Sequence, residues 1–108
     1  MEKIIDGRQF EWDDMKAMLN KMKHGISFET ATLVFEDEYK ITRRDKNHSQ
    51  NEVRWQTIGM VDDVLFVVHT ERGEKTRIIS AREANERERS DYYGDGNVFS
   101  SKRRKTHT

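Results

Sequence analysis

Residues 52–81, EVRWQTIGMVDDVLFVVHTERGEKTRIISA, decide the architecture of this chain. Apolar and β-branched residues recur through Glu52–Met60, Val64–Thr70 and Lys75–Ala81, interrupted at Asp62-Asp63 and at Glu71-Arg72-Gly73-Glu74. Connections that short leave no room for a crossover, so the three strands must fold back as antiparallel hairpins. With Asp62-Asp63 as a two-residue turn, Ile58 faces Val67 and Thr57 faces Val68; a tight turn at Arg72-Gly73 sets Arg77 beside Val68. One face of the sheet then collects Ile58, Met60, Leu65, Val67 and Ile78. The other collects Val53, Trp55, Phe66, Val68 and Ile79, and Arg54 and Arg77 fall on opposite faces. Both faces are apolar, which is unusual for an antiparallel sheet wetted on one side. Each therefore needs cover, from helices, a partner or a substrate. A single bulge would exchange the faces beyond it.

Working outward, Tyr39–Thr42 reads as a further short strand leading into the polar loop Arg43–Gln50. Upstream, Lys3-Ile4-Ile5 and Phe10 suggest short extended structure about a turn at Asp6-Gly7. Asp13 or Asp14 can cap a helix in which Met15, Met18, Leu19 and Met22 recur at three- and four-residue spacing. Lys23, His24 and Gly25 supply the basic last turn and left-handed stop. Ser27 can cap a second helix burying Phe28, Ala31, Leu33, Val34 and Phe35. Downstream, Ser80-Ala81-Arg82-Glu83 fits a capping box and opens a charged helix running to Tyr92 or Tyr93. The expected fold is α+β: two N-terminal helices, an antiparallel meander of three to four strands with a short N-terminal strand, and a C-terminal helix. Residues 1–93 form one domain in this reading, and residues 94–108 a flexible basic tail.

Of the 108 residues, 33% are hydrophobic and 37% charged, which implies a thin core. The net charge of zero conceals blocks. Residues 1–38 hold five Lys/Arg against nine Asp/Glu (−4), and residues 39–61 hold five against two (+3). Residues 62–97 hold six against nine (−3), and residues 98–108 hold Lys102, Arg103, Arg104 and Lys105 (+4). Local basic surface is therefore compatible with overall neutrality. The chain has no cysteine, which excludes disulfides, thiolate metal sites and cysteine nucleophiles. No apolar run reaches membrane-spanning length, residues 1–12 lack a signal-peptide core, and a cytoplasmic location is expected. There is no HExxH, P-loop or GxSxG motif, and no metal or cofactor is expected.

The polar residues that could carry chemistry bracket the central strands. His48 reads either as a loop histidine fixing the start of the strand or as an acid/base group near neutral pH. Glu52 and Arg54, two apart, share one side of a strand and form either a solvated pair or part of a site. Arg77 beside Ile78-Ile79 is a mid-strand charge, costly unless paired or facing a cleft. Arg82, in the first turn of the last helix, would oppose the helix dipole and so hints at an anionic partner or a link to Glu86. Lys23 at a helix C-terminus and Trp55 as a core residue both have ordinary structural explanations. Metal-free RNA cleavage needs a base for the 2′-OH, an acid for the 5′-oxygen and cations for the phosphorane charge. His48 or Glu52 can supply proton transfer, and Arg54, Arg77 and Lys23 can supply charge.

A longer pattern runs through the same residues. Phe10-Glu11-Trp12-Asp13, Lys16, Asn20, Lys23-His24-Gly25-Ile26-Ser27-Phe28-Glu29, Ala31, Val34-Phe35 and Asp37 are followed by Asp45, His48-Ser49, Glu52, Arg54 and Ile58-Gly59. Thr70-Glu71-Arg72, Arg77-Ile78-Ile79-Ser80-Ala81-Arg82 and Glu88-Arg89 complete it. Over residues 10–93 this pattern resembles the BrnT toxin family. The resemblance implies a RelE-like ribonuclease toxin of a type II toxin–antitoxin module that arrests translation by cutting RNA. It implies a polar cluster of Lys23, His48, Glu52, Arg54, Arg77 and Arg82. It also implies a BrnA-like antitoxin whose dimer bridges two toxins, with DNA reached only through the antitoxin. The expected catalytic residues are His48, Glu52, Arg54 and Arg77, with Lys23, Arg72, Arg82 and Trp55 contacting RNA. The alternative is a non-catalytic RNA- or protein-binding module that keeps the same fold.

Overall fold

Asp62 alone turns one central strand into the next: Val61 pairs with Asp63, and Asp62 takes a φ of 62°, in the left-handed region that aspartate tolerates better than most side chains. The computed structural model describes residues 1–5, 7–48 and 51–94. In chain order the elements are β1 (Glu2–Ile5), β2 (Arg8–Glu11), α1 (Asp14–His24) and α2 (Phe28–Thr32). A 3₁₀ turn (Leu33–Glu36), β3 (Ile41–Arg44), β4 (Arg54–Val61), β5 (Asp63–Arg72), β6 (Lys75–Glu83) and α3 (Glu86–Tyr93) follow. The fold is mixed α+β, but its sheet holds six strands in the order β1-β2-β6-β5-β4-β3, more than the sequence suggested. The additional strand is β2, which continues the β1 hairpin and runs parallel to β6, with Glu11 beside Arg77.

The one-residue tip shifts the β4–β5 register by one position from that expected of a two-residue turn. Ile58 pairs with Phe66 and Thr57 with Val67. A second irregularity lies in β6. Val68 pairs with Ser80 and His69 with Ile78, so Ile79 is an extra residue, a β-bulge. Cross-strand partners share a face. One face carries Leu65, Val67, Ile78 and Ala81 against Trp12, Phe28, Ala31 and Val34 of the N-terminal layer. The other carries Ile58, Val64 and Phe66, covered by Ala84 and Tyr92 at α3. Ile58 and Met60 thus lie on the α3 side with Phe66, not with Leu65 and Val67 as the two-residue turn required.

Local chemistry explains the helix ends. Asp13 caps α1 by accepting from the amides of Met15 and Lys16, and Gly25 closes it at a φ of 77°. Ser27 caps α2. The last helix starts later than expected. Ser80–Glu83 stays in β6 because its backbone pairs with β5, and the capping box is made by Asn85 and Glu88. The 3₁₀ turn reaches the sheet at Gly59, where an added Cβ would lie 3.0 Å from both the Cβ and the carbonyl oxygen of Val34. Where β2 stops, Asn20 takes the place of a strand. Its amide donates to the Ala81 carbonyl at 2.8 Å and accepts from the Ala81 amide at 3.1 Å. No helix among the described residues is long and apolar enough to cross a membrane. Residues 95–108, with the basic run Lys102–Lys105, lie outside the described residues.

Candidate active site

The half of the α3-side face that α3 leaves open carries a row of side chains across three strands. Arg54 on β4 is directly opposite Thr70 on β5, and Thr70 is directly opposite Arg77 on β6. The one-residue tip at Asp62 is the reason: it places Arg54 opposite Thr70 rather than Glu71, and so on the face of Arg77. The two arginines that the sequence set apart are therefore on one face. Thr70 is buried, its hydroxyl donating to the Val53 carbonyl at 2.7 Å, so it is a fixed, short spacer between them. Two strand spacings separate the β4 and β6 backbones by about 10 Å. Arg77 is held from the far side by Glu11, with Nη1 2.9 Å from Oε2.

Beside Arg54, the loop between β3 and β4 forms a cavity of about 270 Å³ lined by Asn47, His48, Asn51, Glu52 and Arg54. Its floor is organised by Asp45. The Asp45 amide donates to the Arg54 carbonyl at 2.8 Å, which ties the loop to the end of β4. Its buried carboxylate accepts from the Asn47 amide at 3.2 Å, and the His48 Nδ1 lies 3.2 Å from both of its oxygens. Burial raises the Asp45 pKa, but the His48 hydrogen bond and charge, with help from Gln56 and Asn47, outweigh it and hold the carboxyl below its ordinary range. With Nδ1 turned to Asp45 and the ring 68% exposed, Nε2 is the nitrogen presented for proton transfer. Glu52 stands 3.5 Å from Arg72 Nη2, a long contact between partly exposed groups. Arg72 pairs with Lys75, on the same face as Arg54 and Arg77.

The structure thus gathers His48, Glu52 and Arg54 around one cavity, with Arg72 at its edge and Arg77 two strands away on the same open surface. It separates the other three expected residues. Trp55 faces the N-terminal layer, paired with His69, where a second depression of about 270 Å³ is lined by Arg8, Phe35, Lys40, Thr42 and Glu71 as well. His69 is buried there, with Nε2 2.7 Å from the Thr57 hydroxyl oxygen; its Nδ1 makes no hydrogen bond among the described residues and lies 3.5 Å from Glu71 Oε2. Burial first, and the Arg8 charge second, lower its pKa to about 4, so it is neutral at pH 7. Lys23 lines a different depression, about 240 Å³, between α1 and the Ile79-Ser80 segment, which shares no residue with the His48 cavity. Arg82 is on β6, not in a helical first turn. It forks onto Glu88 at 2.8 and 2.9 Å and lies 4.2 Å above the Phe66 ring, which fastens α3 to the sheet.

Sequence reasoning gave no role to Asp45, Thr70 or Glu11. Asp45 had a faint signal, a carboxylate three residues before a histidine in a turn-forming stretch. Thr70 and Glu11 matter through pairing that only the register reveals. Among the described residues no group of three or more His, Asp or Glu is placed to hold a metal ion.

The family model described as "Ribonuclease toxin, BrnT, of type II toxin-antitoxin system" matches residues 12–88. A crystal structure of the Brucella abortus ribonuclease toxin BrnT is similar in fold, with a TM-score of 0.57 at 22% sequence identity. The alignment covers 71% of this chain and 96% of that one. No curated protein sequence matches the chain.

Proposed function

The chain belongs to the family of BrnT ribonuclease toxins of type II toxin–antitoxin systems, and from that premise we propose that it is a metal-independent endoribonuclease that arrests translation by cutting RNA in the cytoplasm. The observation that carries the reading is the Arg54–Thr70–Arg77 row beside the cavity of His48 and Glu52. Two guanidinium groups about 10 Å apart at the backbone can lean onto one phosphate from two sides, and a neutral threonine between them lets the phosphate approach.

In the reaction the 2′-oxygen attacks phosphorus as its proton passes to a base. The bond from phosphorus to the 5′-oxygen breaks, and an acid protonates that oxygen, leaving a cyclic phosphate and a free 5′-hydroxyl. His48, through Nε2, and Glu52 form the proton-transfer pair. Arg54 and Arg77 neutralise the charge that grows on the non-bridging oxygens, where fixed cations act most strongly. Arg72 attracts the backbone on either side. The family implies an antitoxin partner. A BrnA-like protein whose dimer bridges two toxins, in the manner of RelE-like modules, fits that role.

Purified chain incubated with labelled RNA in EDTA tests the reading. The expected result is cleavage that Arg77→Ala nearly abolishes. Equal cleavage by both proteins overturns the assigned site, and none by either overturns the nuclease reading and leaves the non-catalytic module.

A further inference from the structure

α1 carries its apolar side outward. The side that meets the sheet offers buried Asn20, clamped to Ala81, together with half-buried Ala17 and His24. Met15, Met18, Leu19 and Met22 are 59%, 51%, 53% and 76% exposed. Their spacing of three, four and seven residues makes one stripe along two turns. Large apolar side chains left in water in a continuous stripe of four mark a contact surface. Three of the four are methionines, whose unbranched thioethers adapt to a partner's shape.

Charge says what kind of partner fits. Exposed Lys16 and Lys23 border the stripe on one side and exposed Lys21 on the other. The acids of the same segment are already engaged. Asp13 caps the helix, and Asp14 lies 3.5 Å from the Met1 ammonium group. A second copy of the chain would therefore bring lysines to lysines, whereas a helix with an apolar stripe and acidic flanks satisfies both features.

We propose that this face of α1 is the docking surface for an amphipathic, acid-flanked helix of the antitoxin. The proposal rests on the family reading for the existence of that partner, but not on nuclease activity. The depression lined by Leu19, Lys23, Ile79 and Ser80 continues the surface toward the β6 bulge. It shares no residue with the His48 cavity, so docking and catalysis are separable by mutation.

The test uses the full chain and the purified protein encoded by the adjacent gene. Met18→Glu combined with Met22→Glu should leave the melting temperature and RNA cleavage in EDTA within about twofold of the parent. Binding to the adjacent gene's product should fall about a hundredfold or more, the loss expected for buried interface anchors, and co-expression should no longer relieve growth arrest. Lys16→Glu, a second variant that spares the stripe, should weaken binding about tenfold at low salt and less at high salt. Undiminished binding by the double variant overturns the proposal. So does a parent chain that dimerises alone through this face while its binding to the adjacent gene's product survives the substitutions. If no form cleaves RNA but the double variant alone loses the partner, docking stands and the nuclease reading falls.

Discussion

Arg54 and Arg77 flank the buried Thr70 as its two direct cross-strand neighbours, on the open half of the sheet face that α3 partly covers. If both cations act on one phosphate, neither works fully without the other. Arg54→Ala and Arg77→Ala should each slow single-turnover cleavage about a hundredfold. The double variant should fall well short of the product of the two losses. Glu11→Gln separates the chemistry from the ion pair. It removes the partner that holds Arg77 at 2.9 Å and should change stability by less than about 1 kcal/mol, since the pair is partly exposed. Cleavage by that variant should be retained.

His48 and Asp45 are expected to divide between reacting and positioning. His48→Ala should reduce kcat by about 10²–10⁴, the range for loss of an acid/base group. Asp45→Asn keeps one acceptor oxygen but replaces the other with a donating amide and loses the charge that orients the ring, and should lower kcat about tenfold with KM nearly unchanged. A matching rise in KM would show that Asp45 shapes RNA binding instead.

Gly59 should resist substitution. An added Cβ would sit 3.0 Å from the Val34 carbonyl oxygen, and that backbone cannot swing aside as a flexible side chain can. Gly59→Ala should destabilise the fold by about 1–3 kcal/mol, read as a lower urea midpoint with an unchanged slope.

His69 makes stability depend on pH. Its folded pKa, about 4, lies below the ordinary 6.5, so the unfolded chain takes up the proton first as pH falls. Its contribution is complete above pH 6.5 and is lost between 6.5 and 4, by roughly 3 kcal/mol in total. Asp63, held down to about 2 by Arg89 and Glu83, keeps its own contribution until lower pH. His69→Gln should therefore flatten the stability curve between pH 6.5 and 4, measured by denaturant titration at each pH.

Local chemistry was legible in the sequence, and parity was not. Asp13, Gly25 and Ser27 act within one helical turn, so residue type alone identified Gly25 and Ser27 and narrowed the first cap to Asp13 or Asp14. His48, Glu52 and Arg54 could be grouped because they are near neighbours in the chain. The start of α3 was misplaced because Ser80–Glu83 and Asn85–Glu88 both fit the capping pattern, and pairing with β5 settles between them. The stripe on α1 was visible, but periodicity shows that a helix has two sides without saying which meets the core. Neither the one-residue tip at Asp62 nor the bulge at Ile79 has a distinctive composition. Yet those two features decide which arginines share a face.

Because of that bulge, the face of Arg77 depends on counting as well as on chemistry. A point substitution at Ile79 leaves the count intact, and with it the face of Arg77. Loss of the same codon would reverse the two sides of the bulge relative to each other, so that Lys75–Ile78 and Ser80–Glu83 could no longer both keep their present faces. Descendants of this sequence can therefore be expected to vary in letters along β6 while keeping its length, a constraint written in the reading frame of the strand.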